Sequence, residues 1–127
     1  MPASGNATTR FLNVDVDLRA RNGLDELLEY FDPSVVVLNR TAHDASVELG
    51  SDFASLEETL LKIAELVGSM PPPTQSIWSQ CDFRRMNIGI QSGTKPHASL
   101  FTISRETVAL LARFQFEIMF TVYSGAS

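Results

Sequence analysis

The sequence predicts an α+β fold: a two-layer sandwich in which a mixed sheet of about five strands carries its helices on one face, ferredoxin-like or related. Three observations support this. Short segments alternate apolar and polar residues with the period of two that a half-buried strand requires. Other segments place apolar residues three and four apart, as on one face of a helix. The two kinds follow the order β-α-β-β-α-(β)-β-α-β, and strands separated by helices imply crossovers, right-handed where the strands are parallel. Ferredoxin-like topology extended by one unit describes this order best.

Each element has a local reason. From Phe11 to Ala20, Leu12, Val14, Val16 and Leu18 alternate with Asn13, Asp15, Asp17 and Arg19, which predicts a strand with the apolar set inward. Asn22 is placed to cap a short helix over residues 23–31, with Asp25 and Glu26 in its first turn and Leu24, Leu27, Leu28 and Phe31 at helical spacing. Pro33 stops it. Ser34 to Thr41 is β-branched and apolar on both faces at first, the signature of a central strand. After the polar turn Ala42-His43-Asp44, the segment Ala45 to Gly50 alternates again and completes a hairpin.

Ser55 to Val67 is the clearest helix. Ser55 and Glu58 form a capping box, Leu56, Leu60, Ile63, Ala64 and Val67 form the apolar stripe, and Gly68 suits a left-handed C-cap. Pro71-Pro72-Pro73 reads as a short, stiff, extended spacer. Thr74 to Phe83 fits a short strand or a helical turn. Arg84 to Gln91 is a strand with Met86, Ile88 and Ile90 inward, and Ser92 to Pro96 is a loop. Ser104 caps a third helix, with Val108, Leu111 and Ala112 on its buried face. In the last strand Phe116, Ile118, Phe120 and Val122 point inward, against Glu117, Met119, Thr121 and Tyr123.

The chain has 127 residues, 44% of them apolar and 20% charged, which is ordinary for one globular domain. Residues 1–9 are small, polar and aperiodic and read as a flexible N-terminal tail; residues 10–124 read as a single domain. The net charge of −5 argues against nucleic acid and against anionic membranes as partners, since both attract cationic surfaces. The charge is uneven: residues 1–63 carry five basic and 11 acidic side chains, net −6, and residues 64–127 carry five and four, net +1. An acidic half suits either a solvated surface or a basic partner. One cysteine, no apolar leader and no long apolar run fit a cytoplasmic protein.

The alternation places function on a surface. If the apolar rows face the helices, the opposite sheet face presents Asn13, Asp15, Asp17, Glu48, Arg85, Asn87, Gln91, Glu117, Thr121 and Tyr123. Of these, Asp15, Asp17, Glu48, Arg85, Asn87, Gln91, Glu117 and Tyr123 are the candidate binding residues. A plain solvated face is the alternative, normal for such sheets. Asp15 and Asp17 lie two residues and so about 6.5–7 Å apart on one strand face, a spacing open to acid/base or hard-metal chemistry only with further ligands.

No catalytic or cofactor motif emerges. His43, His97 and Cys81 lack metal-ligand spacing, so no metal or cofactor is expected, and Cys81 reads as a small buried hydrophobe. Ser92-Gly93-Thr94-Lys95 echoes a phosphate loop but lacks its glycine spacing and its helix. Arg84-Arg85 suits a strand-edge salt bridge, and Trp78 a core anchor.

Leu12-Asn13-Val14-Asp15-Val16-Asp17-Leu18, Glu48, Trp78 with Cys81, Asn87-Ile88-Gly89-Ile90 and Phe120-Thr121-Val122-Tyr123 together resemble a group of small uncharacterised bacterial proteins, a domain of unknown function. The resemblance spans residues 11–123 and implies an α+β fold without any assigned activity, cofactor or catalytic residue. Similarity to toxin-neutralising immunity proteins is a further suggestion of the same kind. The expected function is a non-enzymatic protein-interaction module, immunity-like or homo-oligomeric. The alternative is a small-molecule binding or sensing domain using the polar sheet face or an adjacent groove.

Overall fold

The structure is a computed structural model and describes residues 8–51, 55–95 and 98–124. Its elements are β1 (Arg10–Arg19), α1 (Leu24–Phe31), β2 (Val35–Arg40), β3 (Asp44–Leu49), α2 (Leu56–Gly68), α3 (Pro72–Ser79), β4 (Phe83–Gln91), α4 (Arg105–Arg113) and β5 (Glu117–Tyr123). The strands form one sheet in the order β2-β3-β1-β4-β5. The pairs β2–β3, β3–β1 and β1–β4 are antiparallel, and β5 joins β4 in parallel. The first four strands therefore have the split β-α-β order of ferredoxin-like folds, and α4 with β5 is the added unit. A parallel neighbour needs a crossover, which α4 supplies.

Burial follows the predicted alternation through the middle of the sheet. Val14, Val16, Leu18, Val47, Met86, Ile88 and Ile90 are buried together with Leu24, Leu27, Phe31, Leu60, Ile63, Val67 and Leu111 from the helices. Trp78 is the anchor expected of it. Its ring stands edge-on to Phe31 (centroids 6.2 Å apart) and Phe116 (5.2 Å), and its indole N–H donates to the Phe114 carbonyl at 3.1 Å. Cys81 is buried, and burial pushes its thiol up from the ordinary value.

Several expectations are corrected. The triple proline is no extended spacer: Pro71 is the N-cap of α3, and Pro72 and Pro73 occupy its first turn. Proline fits there because those amides have no helical acceptor to lose. Thr74 to Phe83 is thereby resolved as the rest of α3, a turn and the start of β4, and among the described residues the helices number four rather than three. Asn22 does not cap α1. Gly23 does, at φ 87°, where a Cβ would also lie 2.6 Å from Ile77 Cγ2. Gly68 is not a left-handed cap, since α2 ends on Ser69 at φ −93°.

The edges differ most. Ser34–Thr41 reads as a central strand, yet β2 lies at the sheet edge with Val36, Val37 and Leu38 exposed. Leu12 does not point inward: a bulge between Phe11 and Asn13 pairs Phe11 with Ile90, turns Phe11 to the core and leaves Leu12 40% exposed. On α4 the buried residues are Thr107 and Leu111, while Val108 and Ala112 are exposed. Ile118, Phe120 and Val122 lie in register with Met86, Ile88 and Ile90 on the helix side, but they are 40%, 52% and 62% exposed. Thr8 and Thr9, expected in the tail, bond to the loop instead: Thr8 bridges Lys95, and the Thr9 hydroxyl accepts from Gly93 N at 2.9 Å. Residues 1–7 of the expected tail, and His97, lie outside the described residues.

Two polar contacts tie the helices down. Ser55 caps α2 by accepting from Glu58 N, and Ser104 caps α4 by accepting from Thr107 N. The Glu57 carboxylate then joins the two N-termini, accepting from Ser104 N (2.9 Å), Ser104 Oγ (2.8 Å) and Thr107 Oγ1 (2.5 Å). Arg84 ties together the C-terminal ends of α3 and α4. Its guanidinium donates to the carbonyls of Trp78 (2.7 Å), Cys81 (2.9 Å) and Gln115 (3.2 Å), and to Gln115 Oε1 (2.8 Å). Arg84 forms no salt bridge among the described residues; Arg85 forms one, with Asp17, but across the interior strands β4 and β1 rather than at an edge.

Candidate functional site: the helix-free sheet face and its β5 border

Strand register decides which polar side chains meet. Asp15 pairs with Glu48 on one side and Asn87 on the other, and Asn87 pairs with Met119. One step along, Asp17 lies between Ser46 and Arg85, and Arg85 pairs with Glu117. Asn13 pairs with Gly89, Gly89 with Thr121, and Gln91 with Tyr123. Side chains directly opposite in a ladder share a face. The eight candidate residues Asp15, Asp17, Glu48, Arg85, Asn87, Gln91, Glu117 and Tyr123 therefore stand on one face, away from the helices.

The centre of this face is occupied by its own hydrogen bonds. Asn13 Nδ2 donates to Asp15 Oδ1 and to Glu48 Oε2, both at 3.2 Å, so one amide bridges two acids. Ser46 Oγ donates to Asp17 Oδ1 at 2.7 Å, and Arg85 reaches Asp17 Oδ2 at 3.4 Å while its guanidinium lies 4.5 Å from the centroid of the Phe83 ring. Thr121 Oγ1 donates to Asn87 Oδ1 at 2.7 Å. Gln91 Nε2 donates to the carbonyl of Ser124 at 2.8 Å. Gly89 makes the arrangement possible. A Cβ there would lie 2.6 Å from Asn13 Oδ1 and 3.7 Å from Tyr123 Cε2, so its bare backbone is the floor on which the Asn13 amide and the Tyr123 ring rest.

Electrostatics single out Asp15. Burial, then the nearby charges of Glu48 and Asp17 and the hydrogen bond with Glu48, push its carboxyl up to about 6. Spacing along the chain pointed to Asp15 with Asp17; the ladder instead couples Asp15 most closely to Glu48 across the strands. A carboxyl perturbed by neighbouring charge is the kind of group that active sites use. Here, however, Asp15 lines neither nearby cavity: one of about 580 Å³ is lined by Asp17, Arg19, Asp44, Phe83 and Arg85, and one of about 220 Å³ by Asn13 and Glu48 among others. Among the described residues no group of three or more His, Cys, Asp or Glu is arranged to hold a metal ion. His43 sits in the hairpin turn, with its Nδ1 3.3 Å from the Ala20 carbonyl oxygen.

Two features were not legible in the sequence. A groove of about 820 Å³ runs between the C-terminal ends of α2 and α4 and the side of α3, lined by Met70, Gln75, Trp78, Arg113 and Gln115. It needs three helices, and one of them, α3, spans prolines that suit an extended spacer and a segment that fits a short strand as well as a helical turn. The second is the β5 border. Glu117 and Tyr123 belong to the open face, and the alternate residues Ile118, Phe120 and Val122 leave a half-exposed apolar row on the other side of the same strand. The alternation identified the row but not its lack of cover.

No helix among the described residues is long and apolar enough to cross a membrane. Comparisons with family models, with curated proteins and with solved structures found no match for this chain.

Proposed function

We propose that this chain is a non-catalytic protein-interaction module, and that contact is made at the β5 border of the sheet rather than at the centre of its polar face. The observation that carries this reading is the exposed apolar row of Ile118, Phe120 and Val122 on an edge strand whose outer side pairs with no other strand among the described residues. Natural edge strands are usually blunted by lysine, proline or a bulge. β5 contains neither residue type and pairs with β4 over its whole length without a register shift. The centre of the face supports the same reading, because Asn13, Asp15, Asp17, Glu48 and Arg85 spend their hydrogen-bonding capacity on one another.

A photo-crosslinking side chain at position 120, compared with one at position 87, tests this in cells. Protein adducts from position 120 are expected, with few from position 87. The absence of protein adducts from position 120 would overturn the reading.

A second reading rests on the cavity beside Asp17 and Arg85, which mixes both charge signs with the Phe83 ring and suits a small zwitterionic ligand. Thermal shift against a panel of amino acids tests it: a rise lost in Arg85→Gln supports it, and no rise counts against it.

A further inference from the structure

We infer that the occupant of the β5 edge is a second copy of this chain, paired antiparallel about Phe120 so that two sheets become one continuous sheet across a two-fold axis. The inference rests on the interaction reading above and names its partner.

Backbone direction fixes the first part. The Tyr123 carbonyl accepts from Ser92 N at 2.8 Å, so Tyr123 directs its backbone groups toward β4. Backbone groups alternate sides along a strand, as side chains alternate faces. Glu117, Met119 and Thr121 therefore point the same way as Tyr123, while the N–H and C=O of Ile118, Phe120 and Val122 face outward. An antiparallel partner must present outward groups opposite outward groups. Pairing about Phe120 sets Phe120 against its own copy and Ile118 against Val122, which satisfies every outward group of the three residues. Sliding the register by two residues loses one of these pairs.

Side chains agree with that register. The helix-side row becomes Ile118, Phe120, Val122 meeting Val122, Phe120, Ile118, apolar throughout. On the open face Glu117 lies opposite Tyr123, and Met119 opposite Thr121, so no like charges oppose. The half-exposed row, with Tyr123 and the strand backbone, makes a contact at the small end of specific interfaces, whose lower limit is about 1,000 Å² for the pair. A two-fold contact also closes on itself, whereas pairing β5 with the opposite edge would propagate into a fibre. That opposite edge is less suited: β2 has a register shift between Val37 and Asn39, and Arg40 at its end is ion-paired with Asp25.

The test is sedimentation velocity of the whole chain from one to several hundred micromolar, with Phe120→Lys and Val37→Lys measured alongside and circular dichroism confirming the fold of each. A concentration-dependent dimer that Val37→Lys leaves intact, and that Phe120→Lys weakens by at least tenfold, is expected. Phe120→Pro gives a second probe, since it removes only an outward N–H that pairs with nothing among the described residues, and an edge strand tolerates proline. A monomer throughout, or a dimer lost only in Val37→Lys, would overturn the inference. A monomer whose position 120 still crosslinks to a different protein would overturn self-pairing while leaving the interaction reading standing.

Discussion

Replacing Asp15 with asparagine should stabilise the protein at neutral pH and not at acid pH. The Asp15 carboxyl is raised from 3.8 to about 6 by burial and by Glu48 and Asp17. A folded-state value above the unfolded one means that the folded chain binds the proton more tightly. The resulting stabilisation is complete below pH 3.8 and is lost as pH rises through about 6. A shift of this size corresponds to about 3 kcal/mol at 1.36 kcal/mol per pH unit. Asp15 is only half-buried, so solvent screening reduces this to about 1 kcal/mol. Asparagine keeps the shape, still accepts from Asn13, and can donate to Glu48. Urea unfolding of Asp15→Asn should therefore show a gain of about 1 kcal/mol at pH 7.5, or roughly 3–5 °C in Tm, falling toward zero at pH 4. A loss at pH 7.5, or an equal gain at both pH values, would refute the reasoning.

Other consequences are independent of that pair. Glu57 is held below its ordinary value by hydrogen bonds from Thr107 and Ser104. Its contribution is present above the unfolded value of 4.5 and is lost as pH falls through the lower folded value, the opposite sign to Asp15. Glu57→Gln should cost about 1 kcal/mol at pH 7 by urea titration and less at pH 3. Arg84→Met should cost about 2–3 kcal/mol, because three carbonyls lose a charged donor while an apolar stem is kept; a change under 0.5 kcal/mol would contradict its capping role. Gly23→Ala should cost about 2 kcal/mol or more in the same assay, since it combines a left-handed backbone with a Cβ 2.6 Å from Ile77.

What the sequence made legible was local, and what it concealed was relational. Strict alternation from Asn13 to Leu18 and from Arg85 to Gln91 revealed both faces of the central strands, because a period of two survives any tertiary setting. Leu12 broke the rule because a bulge consumes one residue without changing composition. Ser55 was legible as a cap since its partner Glu58 lies three residues away, whereas the Glu57–Ser104 bond joins residues 47 apart and left no local signal. The prolines 71–73 misled because the same residues that stiffen an extended segment also suit a helix start. At the candidate site, alternation placed all eight polar residues on one face, but coupling of Asp15 to Glu48 required knowing the β1–β3 register. Val35–Leu38 looked central for a similar reason: an apolar strand reads alike whether a neighbour covers it or it faces solvent.

Amide hydrogen exchange along β5, followed by NMR as a function of protein concentration, probes the central claim most directly. Edge pairing predicts that the amides of Ile118, Phe120 and Val122 gain protection as concentration rises, while those of Met119 and Thr121, already directed toward β4, are protected at every concentration. Fast exchange at residues 118, 120 and 122 up to several hundred micromolar would contradict it.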